Sequence, residues 1–209
     1  MMGWLRMAGR AGFGAAAEDA ETLVARLAAG DATALEPLYR RESAAVYRYA
    51  LALSGHNAAW AADAMQDAFV ALAGQPAGWD AQRGSLGAYL AGIARHSLLQ
   101  RWRESGRLLP ETPEADEAPP PERAASPEEL LVRLQDLDGL WQAIQALPWP
   151  QREALVLVDL QERPYAEAAR IAGIELNTLR TRLHRGRARL AALLNNAADA
   201  SPPAGASPP

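Results

Sequence analysis

Arg180, Arg182, Arg185, Arg187 and Arg189 fall within residues 176–190, a stretch without a single acid. Asn177, Thr178, Thr181 and His184 are interleaved with them. Arginine grips guanine O6 and N7 with two parallel hydrogen bonds and pairs as readily with phosphate, while threonine bonds a base edge or touches a thymine methyl. The chemistry on offer is recognition of a nucleic acid rather than bond making. At about 100° per residue, Leu176, Leu179, Leu183 and Leu190 gather on one side of a helix. Thr181, His184 and Arg185 then point the opposite way, with Asn177 and Arg180 on the flank.

Such a helix needs elements that hold it. A shorter amphipathic helix precedes it from Tyr165, and Ala172-Gly173-Ile174 reads as the tight turn between them. Gly173 suits a positive φ because it has no Cβ to clash. The spacing predicts a helix-turn-helix whose second helix enters a DNA major groove. A solvated basic helix end is the alternative, since arginine near a helix C-terminus also favours the dipole.

Net charge is −4, which speaks against nucleic acid until its distribution is considered. Residues 104–138 carry ten acids and three arginines, residues 176–190 carry +5, and residues 83–107 carry +4. Two basic patches flank an acidic middle. There is no cysteine, which excludes disulfides and thiolate metal sites, and His56, His96 and His184 stand too far apart to suggest ligand spacing. No metal and no cofactor are expected. Apolar stretches are short and broken by charge, and residues 1–20 lack a signal-type apolar core, so a cytoplasmic protein without a membrane segment is expected. No Ser/His/Asp grouping, phosphate-cradling glycine loop or paired-carboxylate site is recognisable, which argues against an enzyme.

Apolar residues recur at three and four almost everywhere, predicting an all-α chain of two small helical domains. Helices are expected over 17–29, then to residue 53 from an Asp31 cap with Pro37 setting its first turn apart, 58–73, and to residue 103 from a Ser85 cap. Residues 74–84, with glycine, proline and Trp79, read as irregular. Residues 108–126 are rich in proline and acid and read as an extended, mobile linker. Pro127 after Ser126 restarts helix over 127–147, followed by helix over 150–161 and the helix-turn-helix. Residues 1–16 read as a flexible leader, 17–107 and 127–195 as the domains, and 196–209 as a disordered tail.

LPWPQREALVLVDLQERPYAEAARIAGIELNTLRTRLHRGRARL resembles the C-terminal domain of bacterial sigma factors of the extracytoplasmic-function group. DAMQDAFVAL and GSLGAYLAGIARHSLLQRWR resemble helices of that family's N-terminal conserved domain. The resemblance covers residues 17–194, in the family's order and with its linker position. It implies a subunit that binds core RNA polymerase and promoter DNA and directs transcription initiation. Arg180, Thr181, His184 and Arg185 would read base edges of the upstream promoter element, and Thr178 and Arg182 would hold its phosphates. Asp63, Gln66, Asp67 and Phe69 match an acidic-Gln-acidic-aromatic segment that docks on the polymerase. By residue type alone they read as a solvated acidic face and a core phenylalanine.

The resemblance sends the fourth helix and its preceding loop to the downstream element, with Arg83, Arg95, His96, Arg101 and Arg103 as the contacts. Trp79, Tyr89 and Trp102 could stack on bases or belong to the core. The chain departs from the family where Ile-Ala-Arg-Asn becomes Ile93-Ala94-Arg95-His96, where an aspartate becomes Gln100, and where Gly-Asp becomes Gly55-His56. These changes bear on downstream specificity rather than on fold. Family members are commonly held inactive by an anti-sigma factor, a further partner the resemblance implies. The residues leave a second reading open, a helix-turn-helix regulator or sigma-like decoy that does not recruit polymerase.

Overall fold

Three of the four described α-helices of the first half begin on a short polar side chain that accepts a backbone N–H the helix cannot satisfy itself. The structure, a computed structural model, describes residues 18–105 and 137–199. Asp19 accepts the Thr22 N–H at 2.8 Å and opens α1 (Ala20–Ala28). Asp31 takes the Thr33 N–H at 3.0 Å, but the turn it starts is a 3-10 turn, Ala32–Ala34. Helix α2 (Leu35–Leu53) follows. Pro37 therefore lies in the first turn of α2, where a missing N–H costs nothing. Asn57 caps α3 (Ala58–Gly74), and Ser85 caps α4 (Leu86–Glu104) through the Ala88 N–H at 3.1 Å.

Helices α2, α3 and α4 pack on one another, with α1 against α2. Leu38, Val46, Tyr49, Leu53, Leu72, Leu90 and Leu98 fill the space between them. Alanines at 50, 61, 64, 68, 91 and 94 are also buried and let the backbones approach closely.

The second half holds α5 (Leu137–Gln145), α6 (Trp149–Leu155), α7 (Tyr165–Ala172) and α8 (Leu176–Asp199). Ile144, Leu147, Leu157, Leu179 and Leu183 form its core. Arg152 reaches back from α6 to the frayed end of α5, donating to the Gln145 and Leu147 carbonyls at 2.5 and 2.9 Å and to Gln145 Oε1 at 2.8 Å. These oxygens have no helical partner, and a cation at a helix C-terminus also suits the dipole. Burial pulls the Arg152 pKa below its usual value.

Two expectations need correction. The helix expected over 150–161 is α6 followed by a π-helical turn, Val156–Leu160, closed by Gln161 N–H to the Val156 carbonyl at 3.0 Å. Glu162 then takes φ 53, a left-handed conformation unusual outside glycine. The last helix does not stop at 195 but runs to Asp199, into the segment read as tail. The leader, the linker, the restart at Pro127 and the tail beyond 199 lie outside the described residues. No helix among the described residues is long and apolar enough to cross a membrane.

Candidate nucleic-acid interface

The turn before α8 is made by Gly173 at φ 67, with Ile174 N–H returning to the Ala169 carbonyl at 3.0 Å. This is the six-to-one closure that ends a helix on a left-handed residue, and it fixes the angle at which α8 departs. A Cβ at that φ meets its own backbone, so Gly173→Ala is expected to cost about 1–2 kcal/mol in urea unfolding. A loss of less than a few tenths would show that the turn relaxes.

Helix α8 lies on α5, α6 and α7, with Leu179 and Leu183 buried beneath it and Leu176 and Leu190 half-buried. Gly186 faces α6, where a Cβ would stand 3.1 Å from the Gln151 backbone oxygen, so the two helices meet there at glycine distance. Arg187 leaves the exposed face to hold Asp159 with two hydrogen bonds of 3.0 and 2.5 Å, tying α8 to the π-helical turn. That bond raises the Arg187 pKa.

Arg180, Thr181 and His184 are exposed together on the open side, with Asn177 beside them. Asn177 Oδ1 accepts from Arg180 Nη1 at 3.3 Å, and the Asn177 carbonyl accepts from Thr181 Oγ1 at 3.0 Å. The wheel's placement of Arg185 on this open side is too simple, because Arg185 is half-buried, as are Thr178 and Arg182. Three neighbouring helices cover more of α8 than its leucine stripe, and the flanks are partly enclosed. The charge of Arg182 reaches Glu153 in the interior.

On α3, Asp63, Gln66, Asp67 and Val70 form one exposed stripe at three- and four-residue spacing. Val70 is 62% exposed, whereas Phe69 is buried, its ring 4.9 Å from that of Tyr39. Phe69 is thus a core residue, and Val70 is the apolar group this stripe presents. Arg101 crosses from α4 to Asp63 at 3.1 Å and Asp67 at 3.3 Å, and Ser97 donates to Asp67 at 2.5 Å. Residues assigned to separate partners by the sequence are therefore paired with each other. Arg83, His96 and Arg103 are exposed.

Arg95 is directed elsewhere. Its Nε and Nη2 donate to both carboxylate oxygens of Glu153 on α6, at 2.6 and 3.4 Å. Tyr49 on α2, fully buried, donates to Glu153 Oε1 at 2.9 Å. Glu153 is 1% exposed, and burial raises its pKa against the lowering pull of Arg95 and Tyr49. Burial lowers the Arg95 pKa, but the Glu153 charge and hydrogen bond overcome it and leave it raised. The Tyr49 pKa rises well above its usual value through burial and the same carboxylate. Around this cluster α7 packs on α4, Arg163 donates to Glu167 at 2.6 Å and to Ser85 at 3.3 Å, and Gln145 donates to the Ala52 carbonyl at 2.9 Å.

Comparison with known proteins gives this geometry its context. Sigma-70 region 2 matches residues 38–108, and Sigma-70 region 4 matches residues 137–190. The ECF RNA polymerase sigma factor SigM of Mycobacterium tuberculosis is 35% identical over 88% of this chain and 89% of its own length. The chain belongs to the extracytoplasmic-function sigma factors. SigC of Mycobacterium tuberculosis is 32% identical over 84% of this sigma factor and 91% of its own length. Among solved structures, the sigma factor RpoE from Bartonella quintana, in complex with the anti-sigma factor NepR, superposes with TM-score 0.58 at 25% identity, over 77% of this chain and 96% of that one.

In this sigma factor the aromatic groups go chiefly to structure. Trp102 stands edge-on between Trp60 at 5.8 Å and Trp149 at 6.1 Å, bridging the two halves. Trp79 Nε1 donates to the Gly84 carbonyl at 2.9 Å and is half-buried, as is Tyr89. The periodicity that places Tyr49 inward gives no sign of its carboxylate partner, and sequence reasoning missed Glu153 and Val70. A lone acid at the head of the apolar run ALVLV was the one available sign of Glu153.

Proposed function

We propose that α8 lies in the major groove of the upstream promoter element, with Arg180, Thr181 and His184 at base edges, Arg185 beside them, and Thr178 and Arg182 toward the phosphates. The observation that carries this is the exposed Arg180-Thr181-His184 face opposite buried Leu179 and Leu183. The chain is a sigma factor and so directs transcription initiation by core polymerase; the Asp63-Gln66-Asp67-Val70 stripe is the surface offered to that enzyme. Short carboxylates with an amide and one apolar group suit an arginine-rich partner. Arg83, Arg95, His96, Arg101 and Arg103 serve the downstream element. An anti-sigma factor is a third partner in this reading, which the complex with NepR of a related sigma factor supports. The protein works in the cytoplasm, catalyses no reaction itself and takes no cofactor or metal.

Run-off transcription with core polymerase on a promoter library tests the whole assignment, and sequencing the enriched templates reads out both elements. Absence of any transcript would return the chain to the regulator or decoy reading. The docking stripe is tested separately by Asp63→Ala with Asp67→Ala. Their pairs with Arg101 are exposed and worth at most about 1 kcal/mol each, so the fold survives. Co-purification with core polymerase is expected to weaken about tenfold, equivalent to roughly 1.4 kcal/mol. Unchanged co-purification would place the docking surface elsewhere.

A further inference from the structure

Glu153, Arg95 and Tyr49 come from α6, α4 and α2, so one buried ionic cluster spans the two halves of the molecule. An ionised carboxylate this deeply buried is tolerable only when paired and hydrogen-bonded, and here both partners come from the other half. From its own half Glu153 feels the charge of Arg182 on α8, whereas the hydrogen bonds shown to its carboxylate come from Arg95 and Tyr49. Arg95 is also one of the cations assigned above to promoter DNA. A guanidinium engaged by a carboxylate through Nε and Nη2 presents to it the same fork it would present to a phosphate.

The same junction covers a second DNA surface. In a helix-turn-helix the first helix crosses the DNA backbone while the second enters the groove. Here that first helix, α7, packs on α4, with Arg163 and Glu167 joined to Ser85 at the start of α4. Arg170 lies so close to Gly84 that a Cβ there would collide with its guanidinium. Gln161 adds a hydrogen bond to the Ala45 carbonyl at 2.8 Å. The junction also carries the apolar Trp60–Trp102–Trp149 contact, while its polar groups are ones that water or phosphate can satisfy when the halves part.

We infer that the two halves of this sigma factor close on each other when the protein is free, and that Glu153 is the latch, occupying Arg95 in place of a DNA phosphate while α7 is held against α4. The inference rests on the DNA-facing role proposed above for Arg95 and on α7 being the first helix of the helix-turn-helix. Opening exchanges one anion for another on Arg95, so polymerase and promoter compete directly with the latch. Salt and DNA act on the same guanidinium.

The chain has no cysteine, so labels can be placed without background. Ala73→Cys on α3 and Arg189→Cys on α8 are both exposed and carry spin labels for pulsed distance measurement on the full chain without DNA. The otherwise native protein is expected to give one narrow distance, and Glu153→Gln a broad, longer one, because the amide no longer balances Arg95. Unlabelled Glu153→Gln is expected to bind a random-sequence duplex about tenfold more tightly, the gain from releasing a protein whose competent state is populated near a tenth. A broad distance in the native protein, or an unchanged one in Glu153→Gln with helix content intact, overturns the latch. Should Glu153→Gln lose helix content, Tyr49→Phe removes a single hydrogen bond and is expected to lengthen the distance to a smaller degree; no lengthening then overturns it. Opening without tighter DNA binding keeps the latch but refutes the DNA-facing roles of Arg95 and α7.

Discussion

Leu183→Ala is expected to destabilise the protein by about 2–5 kcal/mol, as a truncation of the equally buried Leu179 would. Leu183 is 2% exposed and sits at the centre of the second core, where α8 meets α5, α6 and α7. Removing its side chain deletes several methyl and methylene groups and leaves a cavity that the close contact at Gly186 prevents α8 from filling. Total stabilities of small domains are about 5–15 kcal/mol, so the loss would leave a substantial unfolded fraction at growth temperature. The half-buried Leu190 is expected to cost roughly half as much or less, because its transfer from water is incomplete. Urea unfolding followed by far-UV circular dichroism measures both. A loss below about 1 kcal/mol at Leu183 would mean that α8 is not anchored by its leucine stripe.

That stripe was legible because a helix repeats its faces locally. Leu179 and Leu183 inward, Thr181 and His184 outward, Gly173 in the left-handed turn, and Asn57 or Ser85 at helix starts all depend on residues a few positions apart. What was not legible depends on distant partners. Tyr49, Arg95 and Glu153 share one carboxylate although no spacing rule connects them. Arg185 is half-buried because of how three other helices lie, which a wheel drawn for α8 alone cannot contain. Phe69 in the core was legible from its residue type, since it shares the buried face with Ala61, Ala64, Ala68 and Leu72, whereas Val70 facing solvent was not. The π-helical turn at Val156–Leu160 is likewise a matter of context, since its residues would extend α6 on propensity alone.

The internal pairings bear on how a protein of net charge −4 handles DNA at all. Arg95, Arg101, Arg163 and Arg187 each hold a carboxylate of this chain. Phosphate must displace such partners, so these cations contribute less to affinity than their number suggests. Among the described residues Arg180 bonds only to the neutral Asn177 amide, and it stands on the open face with Thr181 and His184. Specificity for the upstream element should accordingly concentrate there.

Arg180→Ala is expected to cost about 1–3 kcal/mol on the preferred upstream sequence, the worth of one bidentate base contact. Its side chain is exposed and its one bond among the described residues is a 3.3 Å contact to Asn177, so folding stability should change by less than about 0.5 kcal/mol. Two readouts separate a base contact from a phosphate contact. If Arg180 grips a base, the loss falls on the preferred sequence, binding to unrelated duplex is nearly unchanged, and selection with the variant relaxes at one position. If it grips a phosphate, affinity falls on every sequence alike and the slope of log affinity against log salt shrinks by about 0.9. Binding measured across several salt concentrations, on selected and scrambled duplexes, decides between them. A uniform loss with a reduced slope would move the base-reading role to Thr181 and His184, and leave Arg180 as an anchor that sets only how tightly α8 is held.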